Sequence, residues 1–172
     1  APFVMAAINT RVVHRSNYLS GRAYGANFVY DEASMTRKGV KGSALAHGVA
    51  LGIGGFMLAA AVAPVRGLMA RHMLPKPGEG PSPAAQLKGY YDFRFLGATA
   101  DGRQLRVKVT GDRDPGYGST AKMLGQAAAC LAQDIPRSRV GGGFWTPATA
   151  FGDTLIARLE AHAGLKFELL EK

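Results

Sequence analysis

The chain has 172 residues, 47% of them hydrophobic and 19% charged, and its formal net charge is +9. The length suffices for one domain with a sizeable core, and the composition excludes an intrinsically disordered chain. The basic excess points to an anionic surface or substrate, but the cations are spread along the chain with no run of five or six and no nucleic-acid motif, so a nucleic-acid partner is not expected.

In chain order, residues 2–19 read as a helix, with Pro2 in its first turn and Phe3, Met5, Ala6, Ile8, Val12 and Val13 as an apolar face. Ser20-Gly21 stops it, and Phe28-Val29-Tyr30 is a short strand candidate. The opening is neither a signal nor a transit peptide, and it reads as the interior of a longer protein entered at a helix.

Residues 43–65 carry no charge if His47 is neutral. This run is long enough for a bilayer, with Lys38 and Lys41 before it and Arg66 and Arg71 after it. Its glycines and alanines keep it only mildly hydrophobic. Three readings stay open: a buried or groove-forming helix, a helix touching lipid or membrane, and a true span.

Residues 74–83, LPKPGEGPSP, read as a rigid loop separating the apolar half from a more regular half, 87–172. Two alternating segments, 88–98 and 103–110, flank Asp101-Gly102 and predict a β-hairpin. A helix follows over 117–133, with Met123, Leu124, Ala127, Ala128 and Leu131 inward. A second helix spans 149–163, Gly164 ends it, and residues 165–170 form a last strand. Cys130, the single cysteine, sits in an apolar run and reads as a core thiol. The expected class is α+β: one domain over 1–172, with a mostly antiparallel or mixed sheet and packed helices.

Two stretches offer chemistry. In TGDRDPGYGSTAK a strand ends and a helix begins. Gly116 and Gly118 permit close backbone approach, and the free amides of a helix start favour an anionic or carbonyl group. Ser119 and Thr120 add hydroxyls, Arg113 and Lys122 add positive charge, and Tyr117 can donate a hydrogen bond to a carbonyl. Tyr117 and Lys122 are the catalytic candidates, and Arg113, Asp114, Gly116, Gly118, Ser119, Thr120, Trp145 and Thr146 are the substrate-binding candidates. The competing reading is an ordinary turn in which Asp112 or Asp114 caps the helix. In GGGFWTPATAFGD, three glycines precede Trp145 and the N-cap candidate Thr146. They line a substrate pocket or form a flexible connection. GVALGIGGF lacks dinucleotide-binding spacing and is not preceded by a strand. No Walker A pattern is present, and the four histidines have no metal-ligand spacing, so no metal is expected.

Several segments together resemble the saccharopine-dehydrogenase-like oxidoreductases, above all the actinobacterial trans-acting enoyl reductases. They are APFVMAAINTRVVHRSNYL, YGANFVYDE, LPKPGEGPS, VKVTGDRDPGYGSTAKML and GGGFWTPATAFGDTLIARLEAHAGLKFEL. The resemblance implies a two-part enzyme in which an N-terminal Rossmann domain binds NADPH. This chain would then be the C-terminal α+β part, forming the substrate site and often a homodimer interface. The implied reaction reduces a double bond of an acyl chain held on a carrier protein or polyketide synthase, in envelope lipid synthesis. The implied location is cytoplasmic, with contact to a membrane surface. The chain alone, without a Rossmann fingerprint, is expected to be inactive.

Overall fold

The computed structural model describes residues 1–76 and 78–170. The chain divides into two compact units, Ala1–Glu79 and Gly80–Lys172. Their boundary falls inside the proline-rich segment 74–83.

In the first unit, α1 covers Ala6–Leu19. It starts later than the sequence implies, because Pro2 pairs with Ala33 in an isolated antiparallel bridge. Its buried residues are Ser16 and Asn17, while Ile8 and Val12 are exposed. The Asn17 side chain explains the inversion: it donates to the Gly25 carbonyl at 3.0 Å and accepts from the Tyr24 amide at 2.9 Å, pinning the turn that follows the helix. Residues 28–30 do not form a strand. The Phe28 ring instead meets the rings of His14, Tyr24 and Tyr30 at centroid distances of 5.7, 5.3 and 6.4 Å.

Most of the uncharged run lies in α2, Val40–Ala61, which also takes in Lys41. Val62 breaks it with an extended backbone, and α3, Ala63–His72, begins with proline in its first turn. The expectation of a buried helix is not realised within this chain: only Gly42 of α2 is buried.

The second unit is α+β. Helix α4, Pro83–Lys88, is an element missed in the sequence. Its signal was Ser82-Pro83: the Ser82 hydroxyl accepts from the Ala85 amide at 3.2 Å, and proline takes the first helical position. Strands β1 (Tyr91–Ala98), β2 (Gln104–Gly111) and β3 (Leu165–Leu170) form one sheet in that order, antiparallel throughout. Gly102, at φ 86°, makes the hairpin turn. Helix α5 covers Gly118–Gln133. The predicted helix 149–163 is two pieces, α6 (Pro147–Phe151) and α7 (Asp153–His162), because Gly152 adopts φ 55°.

The register aligns three apolar rows across the sheet: Tyr91–Gly111–Leu165, Phe93–Val109–Phe167 and Phe95–Val107–Leu169. Tyr91 and Leu165 pack with Leu159 and Ala163 of the α7 end, joined by Val109, Met123, Leu155 and Phe167. Phe95 and Leu169, at the far end, are exposed. A second cluster, Cys130, Ile135, Ala150 and Phe151, lies towards the other end of α5, and Leu155 touches both.

Candidate functional site

The β2-to-α5 crossing is built around Asp114. Its carboxylate accepts from the amides of Gly116 at 3.1 Å, Tyr117 at 2.9 Å and Gly118 at 2.7 Å. These bonds, the Gly118 amide first, hold the carboxyl below the usual carboxylate range. The helix start is therefore filled by an anion of the chain itself. A Cβ at position 118 would stand 2.8 Å from Asp114 Oδ2, so Gly118 makes room for this carboxylate.

The other candidates of this turn go to different places. Ser119 is fully buried, and its Oγ meets Tyr91 Oη at 2.9 Å. The Thr120 hydroxyl donates to the Pro115 carbonyl. Lys122 Nζ lies 3.2 Å from both Asp112 oxygens and also donates to the Ala163 carbonyl at 3.4 Å. Gly164, at φ 75°, leaves space for Asp112, since a Cβ there would fall 2.4 Å from that carboxyl. Arg113 is half-buried, its stem against Gly118. Tyr117 is 54% exposed, and its hydroxyl has no hydrogen-bond partner among the described residues. Its ring rests on Gly80.

The second stretch shapes an apolar groove of about 340 Å³, open to solvent. Leu131, Val140, Trp145, Pro147, Ala150 and Phe151 supply apolar walls, and Gly141 to Gly143 one backbone edge. Trp145 is fixed by donating from Nε1 to the Gly141 carbonyl at 2.9 Å. Thr146 caps α6 in a capping box with Thr149, whose hydroxyl accepts from the Thr146 amide at 3.2 Å.

The two stretches are not adjacent. They sit at opposite ends of α5, about 20 Å apart at 1.5 Å per residue. What joins them was assigned inward in the sequence: Leu124, Ala128 and Leu131 are exposed, and Ser119, Met123, Ala127 and Cys130 form the inward side. Tyr117, at the N-cap, and Ala121, Leu124, Ala128 and Leu131 make an exposed stripe at spacings of four and three, running from the free hydroxyl to the groove. Among the described residues no group of histidine, cysteine or acidic side chains could hold a metal ion.

A Mycobacterium tuberculosis protein provisionally named a trans-acting enoyl reductase is 38% identical over 171 residues, 98% of this chain and 40% of its own length. The chain resembles part of the trans-acting enoyl reductases. Proteins with that name from Mycobacterium bovis and Mycobacterium ulcerans are 37% and 35% identical, over 91% of this chain and 38% of theirs. The chain thus spans about two fifths of the enoyl reductases it matches. No family model and no solved structure matches it.

Proposed function

We propose that this chain is the substrate-presenting part of an enoyl-reductase-like oxidoreductase, of the saccharopine-dehydrogenase-like kind. One observation carries the reading: the exposed stripe on α5 links a free phenol to an apolar groove. An α,β-unsaturated acyl thioester has the matching polarity, a carbonyl at one end and a hydrocarbon chain behind it. Tyr117 would hydrogen-bond the thioester carbonyl, favouring charge that develops there on reduction. Leu124, Leu131 and the Trp145 groove would hold the chain out of water. Lys122 is assigned to positioning, because Asp112 and the end of α7 already engage its ammonium.

NADPH would supply the hydride from a site outside these residues. The chain's own residues do not fit a dinucleotide: the amides at the start of α5 are taken by the Asp114 carboxylate, which would repel a pyrophosphate. The basic surface would meet an acidic carrier protein or synthase holding the acyl chain, as envelope lipid assembly requires.

The test is NADPH oxidation by the full-length enzyme with a long-chain enoyl thioester. Tyr117→Phe is expected to lower kcat by roughly 10²-fold or more, the usual scale for a lost donor at a developing charge. Normal turnover by this variant would remove Tyr117 from the site.

A further inference from the structure

Helix α2 carries a property that an acyl site on α5 does not use. It has 22 residues, and its most apolar 18-residue window has a mean hydropathy of 1.7 with none of it buried. At 1.5 Å per residue it is about 33 Å long, against about 30 Å for the hydrocarbon layer of a bilayer.

The distribution of its apolar side chains matters more than its length. Leu45, Leu51, Phe56, Met57 and Leu58 are all exposed. At about 100° per residue they fall on three sides of the cylinder, so α2 has no polar face. A protein partner seated along one face would leave the others in water. A lipid environment covers every side at once.

The flanks fit the same occupant. Residues 33–78 contain Arg37, Lys38, Lys41, Arg66, Arg71 and Lys76 and no acidic residue. Three of these cations lie at the start of α2, and Arg66 and Arg71 lie on α3 beyond the Val62 break. Arg66 also donates to the Ala60 carbonyl at 3.0 Å, covering one of the last carbonyls of α2. Within the helix, the one titratable side chain beyond Lys41 is His47, whose Nδ1 lies 2.8 Å from the Ser43 carbonyl, where an Nδ1–H donates within the helix.

We propose that α2 inserts into the hydrocarbon layer of an anionic membrane, with its flanking cations on lipid phosphates. Each such cation near an anionic surface adds to the attraction. The proposal is independent of the acyl site on α5.

Flotation of the full-length protein with phosphatidylglycerol-containing vesicles tests it. The protein should float, and most of it should stay bound in 1 M salt, where headgroup attraction is screened. Leu51→Lys with Leu58→Lys should lower the floated fraction at least tenfold; both side chains already face solvent, so the fold does not depend on them. Phe56→Trp, probed with brominated lipids, should show quenched emission. Three results overturn the proposal: a protein that stays at the bottom of the gradient, complete release by salt, or flotation unchanged in the double variant. Self-association abolished by the double variant, with no flotation, would make α2 a protein interface instead.

Discussion

Tyr91 and Ser119 join hydroxyls at 2.9 Å in the interior, tying β1 to α5 where the sheet meets the helices. Ser119 is fully buried, and no buried side-chain polar atom among the described residues lacks a partner. This pair fixes which face of α5 turns inward, and so which face carries the exposed stripe.

Tyr91→Phe should therefore destabilise the protein by about 1–3 kcal/mol, because it leaves a buried hydroxyl without its partner. Chemical denaturation would show a lower midpoint with an unchanged slope. Tyr91→Phe with Ser119→Ala should recover part of the loss, since removing both hydroxyls leaves nothing unsatisfied.

Asp114 predicts a pH dependence. Its carboxyl is held below its ordinary value, so the folded state binds its proton less readily than the unfolded state does. The stabilisation is then complete above the ordinary carboxylate pKa and is lost as pH falls through the lower, folded value. Asp114→Asn should lower the melting temperature at pH 7, and the difference from wild type should shrink on acidification. A constant difference across that range would assign the effect to shape rather than charge.

At the other end of α5, Arg158 of α7 donates to Asp134 at 2.7 Å and to Gln126 at 3.2 Å. Arg158 and Asp134 are partly exposed, so Arg158→Ala should cost only about 1 kcal/mol. A salt-sensitive drop in melting temperature checks this.

Cys130 should react with a thiol reagent only through unfolding. It is fully buried, and burial first, with Asp134 nearby, pushes its thiol pKa up. The labelling rate should follow the unfolding equilibrium as denaturant is added. Rapid labelling of the native protein would contradict the packing of the second core cluster.

Much of the second unit was legible in the sequence, for local reasons. Asp101-Gly102 set the hairpin, and the alternation around it set the faces of β1 and β2. Asp114, Pro115 and the glycines marked the start of α5. The inward face of α5 was legible in part: Met123, Ala127 and Cys130 were read inward and pack there, whereas Leu124, Ala128 and Leu131 were also read inward and are exposed. Apolar residues line two adjacent stripes, and periodicity cannot choose between Leu124-Ala128-Leu131 and Met123-Ala127-Cys130. The choice rests on Ser119, a polar residue buried by a partner 28 positions away. The break between α6 and α7 rests on the backbone of Gly152, which the apolar pattern of 149–163 masks. In the first unit the strand expected at 28–30 fails because aromatic side-chain contacts, not a backbone ladder, order that segment.

The central claim is that these residues hold the acyl chain and not the nucleotide. Trp145 is the only tryptophan in the chain and lines the groove, so its fluorescence reports occupancy directly. Titration of the 172-residue chain with a long-chain enoyl thioester should give a saturable change in Trp145 emission, which Leu131→Asp weakens at least tenfold, while NADPH binds nowhere on it. Tight NADPH binding, or no response to the thioester, would contradict the account.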